Sequence, residues 1–225
     1  MTGFPRPKGG AATVDRTTLT LVRHGETEWN LAGRIQGHTD SPLTERGREE
    51  GRRAAERLAG LKVAAVYASD LGRAGETGET IAAPHGLPVR TTPDLRERCY
   101  GEFEGKTLAQ IREETPAVVE RWLSDRLRLA PPGGETQQDL SARVMRALRE
   151  IVAAHPGETV IVAGHGGPVK SAVFAVLKIP VDSWDRTWIA NGSITVLRGT
   201  RDDLRVASFN DTSHLEREPV ERRYI

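Results

Sequence analysis

The chain reads as an α/β protein, a three-layer α/β/α sandwich with a mostly parallel central sheet and a small helical cap insertion. Three observations carry that reading. Short β-branched, apolar segments (Thr17 to Val22, Val63 to Ala68, Thr159 to Ala163) alternate with longer stretches of helical periodicity. Two of the three are near-continuous apolar runs, as suits strands covered on both faces. Two of them end in glycine-containing turns that hold a histidine, Arg23-His24-Gly25 and Gly164-His165-Gly166-Gly167.

The elements follow in order. Residues 1–16 hold two prolines, three glycines and no apolar run, which predicts a flexible tail. Thr17 to Val22 is the first strand. Thr44 caps a helix running to about Gly60, with Glu45 in its first turn and Ala54, Ala55, Leu58 and Ala59 on its apolar face. The strand Val63 to Ala68 leads to a helix from about Arg73 to Ala83, stopped by Pro84. Leu87 to Arg90 reads as an edge strand, because Pro88 lacks a ladder donor. Thr107 to Arg128 reads as two short helices broken at Pro116. After the loop Pro131-Pro132-Gly133-Gly134, Thr136 and Asp139 resemble a capping box. They open a helix with the stripe Leu140, Val144, Leu148, Ile151 and Val152. A helix from about Val169 to Leu177 follows the strand Thr159 to Ala163, and Ser193 to Leu197 and Leu204 to Ser208 close the sheet. The expectation is a single domain over 17–213, with 95–134 as the cap and 214–225 as a peripheral tail.

Composition restricts the function. With 32 Lys and Arg against 31 Asp and Glu, the net charge of +1 offers no surplus for nucleic acid or anionic lipid. A lone cysteine, Cys99, forms no internal disulfide, and no Cys–Cys spacing suggests a metal site. No apolar run approaches the roughly 20 residues of a membrane span, and the first residues lack the apolar centre of a secretory signal. The expectation is a soluble, cytoplasmic protein with no nucleic-acid or membrane partner. A homodimer is left open.

In open α/β sheets, ligands collect where strands end and loops enter the following helices. Arg23, His24 and His165 stand at such positions, and Arg73 lies just past the strand Val63 to Ala68. Two arginines and two histidines suit a tetrahedral oxyanion. Guanidinium forks match phosphate oxygens, and a neutral imidazole is a nucleophile. Gly25, Gly164, Gly166 and Gly167 are candidates for letting backbone N–H groups approach the same anion. An arginine in the first turn of a helix opposes the helix dipole, and an anionic ligand would relieve that conflict at Arg73.

Arg23-His24-Gly25-Glu26-Thr27 closely resembles the RHG signature of the histidine phosphatase superfamily, also called phosphoglycerate mutase-like. Further segments agree in the family's order: Gln36-Gly37 with Asp40 to Leu43, Ser69-Asp70-Leu71 with Arg73-Ala74 and Thr77, Leu95-Arg96-Glu97 with Gly101 and Glu104-Gly105, and Gly164-His165-Gly166-Gly167. The resemblance covers roughly Leu19 to Leu197. It implies that His24 is a nucleophile that becomes phosphohistidine, and that Arg23, Arg73 and His165 hold the phosphoryl oxygens. Glu97 would protonate the leaving oxygen and then activate water. Asn30, Gln36, Gly37, Tyr100 and Gly166 would join them around a small phosphorylated metabolite. The resemblance implies neither a metal nor a cofactor.

Other residues invite competing readings. A cysteine-phosphatase loop would need an arginine six residues after Cys99, where Gly105 stands. A nucleotide P-loop ending at Gly105-Lys106-Thr107 would need glycine at Tyr100. His38, near Gln36-Gly37, is a candidate substrate contact. His85, His155 and His214 read as ordinary turn or packing residues, and His85 as a solvated one. Arg96 and Arg98 read as flanking surface charges, and Trp29 as support for the His24 loop. Between the family's outcomes, the short stretch from Glu97 to His165 and a cap with Arg121, Arg126 and Arg128 but no Arg-Arg pair favour a phosphatase over a cofactor-dependent phosphoglycerate mutase. A non-catalytic binding protein on this fold would typically have lost His24 or Glu97, and both are present.

Overall fold

Six strands form one sheet in the computed structural model: β1 (Thr17–Arg23), β2 (Ala65–Ser69), β3 (Val89–Thr92), β4 (Thr159–Gly164), β5 (Ile194–Gly199) and β6 (Leu204–Asp211). The structure describes residues 15–125 and 127–215. Most of both predicted tails, and Arg126, lie outside the described residues. The strand order is β3-β2-β4-β1-β5-β6. β3, β2, β4 and β1 run parallel, while β5 and β6 are antiparallel additions beside β1. The sheet is therefore mixed and mostly parallel, as the alternation of strand and helix patterns predicts.

Side-chain parity makes the three layers. Leu19 and Leu21 of β1, with Val160 and Val162 of β4, face α6 (Gln137–Ala154) and α7 (Gly166–Leu177), where they meet Leu140, Val144, Leu148 and Ala172. Val22 and Ile161, one residue out of phase, face α2 (Glu45–Leu58) and α3 (Gly72–Ala82), where they meet Ala54, Leu58 and Ile81. Both faces of the central strands are thus dry, which is why β2 and β4 are apolar at nearly every position and the threonines of β1 are β-branched and mostly buried.

Between β3 and α6 the chain forms α4 (Leu108–Glu114) and α5 (Pro116–Ser124), separated at Pro116 as predicted. Phe103, Ile111, Val119 and Trp122 build a small core there with Ile35, and the Phe103 and Trp122 rings meet edge-on at 5.4 Å. The capping box at α6 is present, with Thr136 and Asp139 bonding reciprocally.

Several boundaries differ from expectation for physical reasons. The edge strand starts at Val89, so Pro88 precedes the ladder instead of interrupting it. α7 starts at Gly166, three residues early, because His165 is the N-cap and Pro168 stands in the first turn, where no N–H is needed. A four-residue helix, α1 (Glu28–Leu31), was not foreseen. It is held by a capping box between Thr27 and Asn30, too short for any periodicity to show. Among the described residues no helix is long and apolar enough to cross a membrane.

Candidate active site

β1 and β4 are adjacent and parallel, with Arg23 level with Gly164, so His24 and His165 emerge side by side at their carboxyl ends. The His24 N–H donates to the Gly164 carbonyl at 2.8 Å, which locks the two turns together. The two rings meet edge to face with centroids 5.2 Å apart.

His24 is buried, and its Nδ1 lies 2.7 Å from the Gly25 carbonyl. A carbonyl only accepts, so Nδ1 carries the proton and a neutral ring keeps its lone pair on Nε2. Burial holds the His24 pKa well below the ordinary histidine value, and the charges of Arg73 and Arg23 add to the effect. His165 is shifted the same way, by burial first and then by Arg73. Neither His165 ring nitrogen has a hydrogen-bond partner among the described residues.

Both arginines are tied down through their terminal nitrogens. Arg23 Nη1 donates to the Ile189 carbonyl. Arg73, whose side chain is fully buried, donates from Nη1 to the Thr39 carbonyl and to Asp40 Oδ1 at 2.9 Å, and from Nη2 to the Gly37 carbonyl at 2.7 Å. Each leaves a buried Nε without a partner among the described residues. Buried donors are normally satisfied, and here two guanidinium Nε atoms and a whole imidazole are not.

Asp40 also accepts from the Gly72 and Arg73 backbone N–H groups at the start of α3. The dipole conflict foreseen at Arg73 is therefore relieved inside the protein, and the case for an anion rests on the unpartnered Nε atoms instead.

Glu97 joins the same cluster. Its Oε1 accepts from Arg98 N at 2.8 Å and its Oε2 from Gly167 N at 3.0 Å. Its charge reaches both Arg23 and Arg73. A Cβ at Gly167 would stand 2.0 Å from Glu97 Oε1, so the glycine makes room for the carboxylate.

Two of the four candidate anion-binding glycines have other work. The Gly167 N–H is engaged by Glu97. Gly25 directs its N–H towards Thr77 Oγ1, and a Cβ there would lie 2.0 Å from the Gly47 carbonyl of α2. Gly25 is needed for close passage of a helix backbone, not for an anion. Gly166 does flank Arg23, with its would-be Cβ 3.5 Å from Nε.

The remaining predicted residues divide. Gly37 brings its carbonyl to Arg73, in a left-handed conformation (φ +60°) where a Cβ would strike Glu104. Gln36 is buried beside it with Oε1 unpartnered. Asn30 Oδ1 serves the α1 cap and accepts from Asn191 Nδ2, which also donates to the His24 carbonyl, so Asn30 reaches the site through Asn191. Tyr100 packs in the cap, edge-on to Trp122 and under the Arg98 guanidinium.

His38 lies at the rim with Nε2 2.9 Å from the Glu97 carbonyl. Trp29 packs against Gly105. His155 is buried between Tyr67 and Glu158, and His214 bonds the Gly192 carbonyl. His85 is not the solvated residue expected: it is half-buried, its Nε2 covered. Arg98 is no surface charge either. It is 3% exposed and donates to the Glu135 and Leu129 carbonyls. Arg96 does stay near the surface, paired with Asp70. Burial raises the pKa of the Cys99 thiol, which suits no nucleophile.

Four residues went unassigned in the sequence. Glu104 accepts from the His38, Thr39 and Tyr100 backbones, Asn191 bridges His24 and Asn30, and Glu135 pairs with Arg143 beneath Glu97. Of these, Glu104 stood inside a matched segment and Glu135 just before a capping box. Asn191 and Arg143 carried no signal.

The chain is 38% identical over 207 residues to phosphoglycerate mutase-like protein 4 of Arabidopsis thaliana, covering 90% of this chain and 89% of the relative. It is 37% identical over 202 residues to a metal-independent phosphoserine phosphatase of the same plant, covering 88% and 83%. The solved structure of Bacillus stearothermophilus YhfR superposes with a TM-score of 0.83 at 38% identity, covering 89% of this chain and all of the other. The sequence profile of the histidine phosphatase superfamily, branch 1, matches residues 19–212, and the chain belongs to that family.

Proposed function

We propose that the chain is a phosphomonoester phosphatase acting through a phosphohistidine on small phosphorylated metabolites. One observation carries the reading: a buried imidazole with its Nε2 lone pair available lies beside buried donors, Arg23 Nε, Arg73 Nε and His165, that have no partner among the described residues. Such a cage suits a phosphoryl dianion.

In the first step His24 Nε2 forms a bond to phosphorus while the ester P–O bond breaks, and the leaving oxygen takes the Glu97 proton. Arg23 and Arg73 neutralise the charge on the equatorial oxygens, and the neutral His165 ring donates a hydrogen bond to one of them. In the second, water attacks phosphorus, Glu97 accepts its proton, and the P–N bond breaks to free His24 and inorganic phosphate. The guanidinium groups supply the charge neutralisation that metals supply elsewhere, so the cycle needs neither metal nor cofactor. All these groups come from one chain, so a homodimer would add nothing to the chemistry. The single cysteine suits the reducing cytoplasm.

A mutase shares the first step and is favoured by the names of several relatives. The test is a panel of phosphomonoesters in EDTA, including phosphoserine, p-nitrophenyl phosphate and 3-phosphoglycerate with and without a bisphosphate primer. Release of inorganic phosphate, inhibition by vanadate and an acid-labile phosphohistidine at His24 are expected. Primer-dependent isomerisation with no phosphate release would establish the mutase, and strict dependence on an added divalent metal would exclude the mechanism.

Gly167→Ala probes Glu97 without substituting it. Alanine suits a helix better than glycine, so the melting temperature should hold within a few degrees. The new Cβ must displace the carboxylate, and a misplacement near 1 Å costs about a hundredfold. Turnover of alkyl phosphates should fall by that order, and activity near wild type would mean that the carboxylate position is unimportant.

A further inference from the structure

Arg143 lies on α6, one turn after the core residue Leu140, and belongs to no segment that pointed to chemistry in the sequence. Its guanidinium is nonetheless the most heavily engaged group beside the site. Nη1 donates to the Asp94 carbonyl at 3.0 Å and to the Arg96 carbonyl at 2.8 Å, and Nη2 donates to the Glu97 carbonyl at 2.7 Å. Nε and Nη2 form a two-pronged pair with the Glu135 carboxylate at 3.1 and 2.5 Å. Glu135 Oε1 accepts in turn from the Cys99 N–H at 2.9 Å. Arg143 and Glu135 are only 15% and 17% exposed.

One planar cation thus gathers three carbonyls of the turn that carries Glu97, and its counter-ion grips the backbone two residues further on. The Glu97 carbonyl is also touched from the opposite side of the sequence by His38 Nε2. Fixing the backbone at 94–99 fixes where the Glu97 side chain starts, and Gly167 fixes where it ends. A guanidinium suits the task because its donors lie in one rigid plane, which a lysine cannot reproduce.

We infer that Arg143, held by Glu135, is a positioning residue for Glu97, setting the carboxyl group against the bond being broken. The inference rests on the reading of Glu97 as proton donor, and the test separates the two. The value of kcat/KM, which covers only the steps up to release of the leaving group and not the water attack common to all substrates, is compared for glycerol 2-phosphate, whose alkoxide needs a proton, and p-nitrophenyl phosphate, whose phenolate leaves unaided. The proteins are wild type, Arg143→Met, Glu97→Gln and the double variant, each checked for folding by thermal melting.

Arg143→Met should lose about a hundredfold on glycerol 2-phosphate and less than about tenfold on p-nitrophenyl phosphate. Inhibition by vanadate should stay within about threefold, because the His24 cage is untouched. In the Glu97→Gln background the same substitution should cost less than about threefold more, since residues acting through one group are non-additive. Multiplying losses in the double variant, or an equal loss on both substrates, would overturn the inference. A Glu97→Gln variant that does not discriminate between the substrates would instead overturn the acid role of Glu97, and the double variant would still decide whether Arg143 acts through it. If Arg143→Met does not fold, Glu135→Gln takes its place, keeping an acceptor for Cys99 while removing the charge that orients Arg143. The same pattern is expected at about tenfold.

Discussion

Replacing His24 by alanine is expected to lower turnover at least about a thousandfold, because the nucleophile of a catalytic unit carries most of its rate. Alanine forms no bond to phosphorus, and the other members of the cage have no lone pair in its place. The fold should survive. The ring contributes one hydrogen bond, to Gly25, and His24's backbone bonds to Gly164 and Asn191 do not involve the side chain. Steady-state rates and a melting curve check both halves, and more than a tenth of wild-type activity would remove His24 as nucleophile.

The same substitution should alter acid sensitivity. The folded-state pKa of His24 is depressed, so below about pH 6.5 the unfolded chain binds a proton that the folded chain refuses. Stability is therefore lost as pH falls from about 6.5 towards the folded value, and is unaffected above it. His24→Ala should flatten that part of the stability profile, leaving the contribution of His165.

The second large effect is expected at Arg73. Arg73→Met should lower kcat/KM for phosphomonoesters by at least about a hundredfold, the usual loss on removing one preorganised donor. It should also destabilise, because the Gly37 and Thr39 carbonyls and the Asp40 carboxylate lose their donor. Each buried acceptor so orphaned costs about 1–3 kcal/mol, with Asp40 at the low end because its side chain is 40% exposed. Arg73→Lys should restore some stability and little activity, since one ammonium cannot satisfy Asp40 and Gly37 while presenting an Nε to the cage. A lysine variant with more than a tenth of wild-type kcat/KM would show that the unpartnered Nε is not used.

Much of this was legible in the chain itself. Strand segments buried on both faces announce themselves by composition, and a histidine at the end of such a strand is placed by topology before any coordinates are known. One of the arguments for Arg73, the conflict with its helix dipole, did not survive, because a carboxylate 33 positions away in sequence caps that helix. Gly25 shows a different limit: a glycine marks close approach without saying whether a ligand or a helix approaches. The burial of Arg98 and the reach of Arg143 were invisible, because their partners are mainly backbone carbonyls, which every residue has and no sequence pattern marks. α1 was missed because four residues cannot display a period.

The pairing of β1 with β4 joins two segments with more than half the chain between them. Non-local parallel pairings form slowly, since loop closure precedes the contacts that reward it. His24 and His165 therefore become neighbours only when β2, β3, the cap and α6 have been threaded between them. During synthesis the first histidine leaves the ribosome long before the second exists. A nascent fragment that ends before His165 holds only part of the cage, and the cage is complete only once β4 stands beside β1.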